Sequence, residues 1–103
     1  MSVLRVGLVG LGEVAQVMHL PLLSELSQQY KVQGIYDISL SLVAHVAQRY
    51  GVPQVFSSAE ALMDSPEIDL IFILSPDHLH RPHLLRALQT GKAVFIEKPI
   101  CLN

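Results

Sequence analysis

The chain has 103 residues, of which 50% are hydrophobic and 16% are charged, and its formal net charge is −2. This composition excludes a disordered segment, and the lack of a basic run argues against nucleic acid or an anionic membrane surface as a partner. No apolar run approaches the roughly 18 residues that cross a bilayer, and the N-terminus carries no signal-peptide pattern, so we expect a soluble cytoplasmic protein. The single cysteine, Cys101, cannot form an intrachain disulfide.

The first predicted element is a strand that leads directly into a glycine turn. Residues 3–9 are rich in Val and Leu, and Gly10-x-Gly12-x-x-Ala15 follows them. Between a strand and a helix, this triplet is typical of dinucleotide binding: Gly10 allows the tight turn, and Gly12 lets the backbone approach a pyrophosphate. The helix start then offers N–H groups and a positive dipole end to the phosphates. The residues expected to bind the cofactor here are Gly10, Leu11, Gly12, Glu13 and Val14.

An amphipathic pattern after the glycine turn predicts the first helix. Pro21 lies inside this pattern, so we expect a kink or break near His19, which we interpret as a structural residue. The residues on the expected apolar face are Val14, Val17, Met18, Leu22 and Leu26.

Strands and helices alternate along the rest of the chain. Apolar runs predict strands over residues 32–36, 55–56, 68–74 and 93–96. A capping box at Ser57-Ser58-Ala59-Glu60 predicts one helix start. Helix ends are expected at Gly51 and Gly91. The helices are expected to bury Leu40, Val43, Ala44 and Ala47, then Ala59, Leu62 and Met63, and then Leu84, Leu85 and Leu88.

This alternation predicts an α/β fold, a Rossmann-type doubly wound parallel sheet with the strand order 3-2-1-4-5. Strands 1 and 4 then flank the point where the order reverses, and a ligand binds beyond their carboxyl ends. Polar and glycine residues follow four of the five predicted strands, so we expect them to line one crevice. They are Gly10 to Gly12, Asp37, Ser75-Pro76 and Glu97-Lys98-Pro99.

Asp37 ends the second predicted strand, 25 residues after Gly12. An acid at this position can accept hydrogen bonds from the adenosine ribose, and the alternative role is a cap of the following turn or helix. Neither Lys nor Arg occurs between Asp37 and Gln48, so a 2′-phosphate would meet a negative charge without local compensation. The pattern therefore favours NAD over NADP as the cofactor.

Five motifs occur in an order that resembles a known family. They are the glycine turn, Asp37, Glu67-Ile68-Asp69, Ser75-Pro76-Asp77-His78-Leu79-His80, and Gly91-Lys92-Ala93-Val94-Phe95-Ile96-Glu97-Lys98-Pro99. Together they resemble the N-terminal half of the Gfo/Idh/MocA family, named for glucose–fructose oxidoreductase and inositol dehydrogenase. The resemblance covers essentially the whole chain, and its most specific part is Glu97-Lys98-Pro99. It implies an NAD(P)-dependent oxidoreductase of sugars, inositols or related polyols.

The resemblance implies roles for residues after the fourth and fifth strands. Lys98 is implied to be catalytic, beside the nicotinamide and bonded to the hydroxyl that is oxidised, because an ammonium there can stabilise a developing alkoxide. Glu97 is implied to hold Lys98 or the nicotinamide ribose, and His80 to lie near that ribose. Ser75 and Pro76 are expected to line the cofactor path.

The other histidines of this region receive no functional role. His80 and His83 are spaced for adjacent positions on a helix, but no Cys or carboxylate set completes a metal site, so no metal is expected. We interpret His78 and His83 as helix-surface residues.

Two features depart from the family pattern. Asp77 replaces the usual Asn after the fourth strand, which places a carboxylate near the expected cofactor path. The chain also stops at Asn103, before the family's sixth strand and substrate domain. Residues 1–103 are therefore expected to be an incomplete NAD(P)-binding Rossmann domain, truncated before the sixth strand and inactive alone. The unpaired edge of its last strand predicts that the chain self-associates or is markedly less stable than an intact domain of this type.

The full enzyme implied by the resemblance transfers hydride between NAD and a sugar, inositol or related polyol, and is expected to be a homo-oligomer. Two alternatives stay open: an NAD-sensing regulator without catalysis, and an interaction module with a vestigial nucleotide cleft. An intact glycine turn and Lys98 favour the enzyme.

Overall fold

The computed structural model of the chain describes residues 3–12, 15–75 and 77–97, without the side chains of Val17, Asp77, His78 and His80. Four of the expected site residues therefore lie outside the described residues: Glu13, Val14, Pro76 and Lys98.

Five strands of the described chain form one sheet in the order β3-β2-β1-β4-β5. The strands are β1 (Leu4–Val9), β2 (Tyr30–Tyr36), β3 (Gln54–Val55), β4 (Leu70–Ile73) and β5 (Ala93–Ile96). Each neighbouring pair is parallel. This order confirms the predicted doubly wound α/β sheet. The short β3 lies one residue earlier than predicted, and β4 is shorter at both ends.

The helices cover both faces of the sheet. A π-helical turn at Ala15–His19 leads into α1 (Leu20–Glu25), and α2 (Leu40–Tyr50), α3 (Ala59–Asp64) and α4 (Asp77–Gln89) follow. One core cluster joins the sheet to α1 and α2, through Val6, Leu8, Leu20, Leu23, Val43 and Val46. The second joins it to α3 and α4, through Val9, Leu62, Met63, Ile71, Ile73 and Ala87. Within the described residues, none of the helices has the length and apolarity needed to cross a bilayer.

The first helix buries a different face from the one that the sequence predicts. Met18 is 58% exposed and Leu22 is 52% exposed, whereas Leu20 and Leu23 are buried. The expected break near His19 is present as the π-helical turn. Because a π turn holds more residues than an α turn, it rotates the following side chains relative to a regular helix. The predicted apolar face is therefore wrong for Met18 and Leu22.

Two other predicted faces are also partly wrong. Leu40 is 82% exposed at the start of α2, while Leu85 and Leu88 are more than half exposed on α4. Ala87 is buried in their place, since α4 approaches the sheet closely through a small side chain.

The helix ends follow local side-chain and glycine signals. The N-cap of α3 is Ser58, whose Oγ accepts a hydrogen bond from the Ala61 N–H at 3.0 Å, so the capping box expected at Ser57 does not form. Gly51 ends α2 in the left-handed conformation, as predicted.

Candidate functional site

The carboxyl ends of four strands meet at one edge of the sheet. Backbone hydrogen bonds connect these ends: the Gly10 N–H donates to the Tyr36 carbonyl at 2.9 Å, and the Leu74 N–H donates to the Val9 carbonyl at 2.8 Å. The Glu97 N–H donates to the Ile73 carbonyl at 3.2 Å. The structure thus places the segments after β1, β2, β4 and β5 side by side, as the predicted crevice requires.

Gly10 turns the chain where β1 meets the end of β4. Its φ is +99°, a conformation that side chains rarely adopt. A Cβ atom at this position would lie 2.6 Å from the backbone nitrogen of Ser75 and 2.7 Å from the carbonyl carbon of Leu74. Gly10 is therefore required for the close approach of the two strand ends, and Ser75 lies directly against the turn.

Gly12 lies on the open side of the same turn. It is exposed, and a Cβ atom built on it would meet no described atom within 4 Å. Gln16 holds the turn from the following π-helical segment, because its Nε2 donates to the Leu11 carbonyl at 3.0 Å and its backbone N–H donates to the Gly12 carbonyl at 3.1 Å. The turn is thus fixed on its inner side and leaves space for a ligand on its outer side.

Asp37 joins the end of β2 to the glycine turn. One carboxylate oxygen, Oδ2, accepts the Leu11 N–H at 2.7 Å, and the other, Oδ1, accepts the Ser39 N–H at 2.8 Å. The capping role expected of this acid is present, since Oδ1 holds the turn before α2, and the same carboxylate also holds the glycine turn; the ribose contact stays a prediction. An ionised carboxylate offers about four lone-pair sites, so each oxygen can accept one further hydrogen bond from a ligand.

Ser75 follows β4 and pairs with a histidine of the next helix. Its buried Oγ lies 2.8 Å from Nδ1 of His83. His83 is half-buried and directed toward the strand end, rather than on the helix surface as the sequence analysis expects. This contact fixes α4 against the crevice. The backbone of His80 lies in the first turns of the same helix.

Glu97 follows β5 and contacts a residue to which the sequence analysis gives only a structural role. Nε2 of His19 lies 3.1 Å from Oε2 of Glu97. The imidazole is buried, and its ring packs edge-on against the rings of Phe72 and Phe95 at centroid distances of 5.6 and 5.5 Å. The π-helical turn that contains His19 therefore links the glycine turn to the end of β5.

Like His83, Gln16 and His19 lie at this edge although the sequence analysis does not place them there. Both lie on the π-helical turn, where a regular helical period does not show which side chains face the sheet. Pro21 is the signal that an irregular helix begins here, but it does not show the direction in which His19 points.

A cleft of about 310 Å³ lies elsewhere, beside the amino ends of β1 and β2. Its lining is mostly apolar and includes Leu20, Leu23, Tyr30 and Tyr50. Of the expected site residues that the structure describes, none lines this cleft. The fold therefore separates it from the edge that carries the glycine turn.

Comparison with known proteins agrees with this geometry. The family model GFO_IDH_MocA, described as "Oxidoreductase family, NAD-binding Rossmann fold", matches residues 4–103. The trans-1,2-dihydrobenzene-1,2-diol dehydrogenase of Mus musculus is 31% identical over 100 residues, which cover 97% of this chain and 30% of that relative.

Two solved structures with bound cofactors are also similar. The scyllo-inositol dehydrogenase of Lactobacillus casei with bound NAD(H) and scyllo-inositol is 30% identical, with a TM-score of 0.86 over 99% of this chain and 30% of that one. A 3-ketoreductase of Actinomadura kijaniata in complex with NADP and TDP-benzene is 28% identical, with a TM-score of 0.86 over 95% of this chain and 30% of that one. The chain thus spans about 30% of the length of the relatives that it matches.

Proposed function

The chain belongs to the Gfo/Idh/MocA oxidoreductase family, within its NAD-binding Rossmann part, and from this premise we propose that the carboxyl edge of its sheet binds NAD. We further propose that the whole enzyme transfers hydride between NAD and a carbon bearing a hydroxyl group in a sugar, an inositol or a related polyol. The named relatives that act on inositol and on other diols support this choice of substrate class.

The observation that carries the proposal is the glycine turn with its open outer side. Gly12 leaves space for a pyrophosphate against the backbone, while Gln16 and Asp37 hold the turn from within. A turn that is already fixed before binding loses little conformational entropy when the ligand arrives. The helix start after it supplies N–H donors to phosphate oxygens.

The choice of NAD over NADP rests on charge around Asp37. The carboxylate lies where the adenosine ribose is expected, and the first Lys or Arg after it in the chain is Arg49. Arg49 lies near the far end of α2, about 14 Å along the helix axis from Leu40 at a rise of about 1.5 Å per residue, and its guanidinium lies over the Tyr50 ring. A 2′-phosphate at this position would therefore be repelled by Asp37, with no Lys or Arg between Asp37 and Arg49 in the chain to offset the repulsion.

The catalytic part of the proposal concerns Lys98, which directly follows Glu97 in the chain. We assign to it the stabilisation of the developing alkoxide during hydride transfer, and to Glu97 a contact with Lys98 or the nicotinamide ribose. His80 is assigned to the neighbourhood of the same ribose. The end of β5 lies beside the end of β4 in the sheet. This arrangement supports a position near the nicotinamide half of a dinucleotide for Glu97 and Lys98, which follow β5, and for His80, which follows β4.

Titration calorimetry with NAD and NADP tests the cofactor assignment. The unmodified chain is expected to bind NAD more tightly than NADP, because only NADP brings a phosphate against Asp37. Asp37→Ala is expected to weaken NAD binding and to narrow the difference in affinity between NAD and NADP. Ser58→Ala removes a helix cap from α3 without touching the crevice and serves as the control. Equal affinity of the unmodified chain for both cofactors would contradict the assignment.

A further inference from the structure

His19 is a polar side chain fixed in an apolar environment. The residue is 9% exposed, and its ring packs edge-on against Phe72 and Phe95, whose own centroids are 4.9 Å apart. Phe72 and Phe95 are register partners in β4 and β5, so they present their rings from the same face of the sheet. The imidazole thus rests on two neighbouring rings that the sheet presents side by side.

The one polar contact described for this imidazole is with Glu97. An ionised carboxylate only accepts hydrogen bonds, so Nε2 of His19 is the donor to Oε2 across 3.1 Å. The imidazole side chain is 11% exposed and the carboxylate is 33% exposed. The buried partner therefore orients a carboxylate that still reaches solvent at the carboxyl edge of the sheet.

The position of Glu97 corresponds to the second half of a bound dinucleotide. With the adenosine ribose near Asp37 beyond β2 and the pyrophosphate at Gly12 beyond β1, the remaining ribose and the nicotinamide extend over β4 and β5. Glu97 is the first residue after β5, and its N–H donates to the Ile73 carbonyl of β4. Its backbone and its side chain are thus both fixed at this position.

We propose that His19 is a positioning residue for the nicotinamide half of the cofactor, acting through Glu97. A carboxylate can accept hydrogen bonds at both oxygens, so Oε2 stays on His19 while Oε1 accepts a hydroxyl of the nicotinamide ribose. This inference rests on the proposed NAD-binding function. His19 lies seven residues after Gly12, and the π-helical turn Ala15–His19 makes both contacts: Gln16 holds the glycine turn, and His19 holds Glu97.

Two ligands, NADH and ADP, distinguish a positioning role of His19 from a general effect on folding. NADH carries both riboses, whereas ADP carries the adenosine and the pyrophosphate but lacks the second ribose. Affinities are measured by titration calorimetry on the full chain, with melting temperatures recorded for every variant. His19→Leu removes the donor and keeps an apolar body. His19→Gln restores an N–H donor, and Ser58→Ala serves as the control outside the crevice.

His19→Leu is expected to weaken NADH binding about tenfold, the effect of losing one well-placed hydrogen bond to a charged group. ADP affinity is expected to stay within about twofold of the unmodified chain. His19→Gln is expected to recover most of the NADH affinity. Glu97→Gln is also expected to weaken NADH binding without weakening ADP binding. The double variant His19→Leu with Glu97→Gln is expected to bind NADH no more weakly than the single variant with the lower NADH affinity, because both substitutions disturb the same contact.

Parallel losses of NADH and ADP affinity, or unchanged NADH affinity in His19→Leu, would overturn the positioning role and leave the proposed function intact. If His19→Leu does not fold, the test relies on Glu97→Gln, which alters a partly exposed side chain. Unchanged NADH affinity in Glu97→Gln would also overturn the positioning role of His19. Failure of the unmodified chain to bind either ligand would overturn the proposed function and this inference together.

Discussion

At the amino end of the sheet the side chains of Arg5 and Asp69 pair with one another, whereas at the carboxyl end Asp37 holds the backbone of a turn whose outer side is open. Arg5 donates from Nε and Nη2 to the two carboxylate oxygens of Asp69 at 3.0 and 3.1 Å. At the other end Asp37 accepts two backbone N–H groups and leaves Gly12 facing open space. The first arrangement pairs its own charges, and the second leaves the outer side of the glycine turn open.

A second polar group reinforces the amino end. Gln33 is the extra residue in β2 where its register with β1 shifts, and it is buried. Its amide donates to Oε1 of Gln54 at 2.9 Å, and Gln54 in turn donates to Glu67 at 3.3 Å. Three segments are thus joined by hydrogen bonds on the side remote from the glycine turn. The two ends thus differ in how their polar groups are satisfied: at the amino end side chains satisfy one another, and at the carboxyl end Asp37 satisfies the backbone of a turn.

The largest expected effect comes from Gly10. Gly10→Ala places a methyl group 2.6 Å from the backbone of Ser75 at a φ of +99°, so we expect a loss of about 3 kcal/mol or more in the free energy of unfolding, combining backbone strain and overpacking. Urea denaturation measures it. Gly12→Ala, two residues away in open space, is the matched control and is expected to change stability by less than about 1 kcal/mol. If Gly10→Ala and Gly12→Ala lost the same free energy of unfolding, Gly10 would not be the more tightly packed of the two glycines.

A smaller effect is expected from Asp37. Asp37→Ala leaves the N–H groups of Leu11 and Ser39 without their acceptor, and we expect a loss of about 1–2 kcal/mol in the free energy of unfolding. Asp37→Asn keeps one acceptor oxygen, so its loss is expected to be about half as large. Thermal and urea unfolding of both variants provide the measurement. Unchanged stability in Asp37→Ala would mean that the carboxylate does not hold the turn.

The smallest effect concerns acid stability at the amino end. Hydrogen bonds from Arg5 lower the pKa of Asp69 below its ordinary value. A lowered pKa in the folded state adds stability above the ordinary carboxyl pKa of about 3.9, and this stability is lost as the pH falls through the folded-state value. Asp69→Asn is expected to be slightly less stable at neutral pH and to show a shallower decline of melting temperature below about pH 4. If the melting temperatures of the two proteins declined identically below about pH 4, the pairing of Asp69 with Arg5 would not be the source of the pH dependence.

Much of the fold is predictable because the strand and helix periods alternate clearly. The parallel order and the meeting of Gly10, Asp37, Ser75 and Glu97 at one edge follow from that alternation and from the location of each residue after a strand. The burial of Leu20 and Leu23, and the inward direction of His19, are not predictable, because the π-helical turn changes the phase of the helix. The two hydrogen bonds that Asp37 accepts, from the N–H groups of Leu11 and Ser39, also depend on loop geometry that no spacing rule describes.

Binding of NAD to Gly12→Val tests the central claim that the open turn at the carboxyl end is the cofactor site. A branched side chain would occupy the space where the pyrophosphate meets the backbone, and nothing described lies within 4 Å to oppose folding. Titration calorimetry is expected to show NAD binding in the unmodified chain and in Asp69→Asn, and its loss in Gly12→Val with the circular dichroism spectrum unchanged. Normal NAD affinity in a folded Gly12→Val variant would show that the pyrophosphate binds elsewhere.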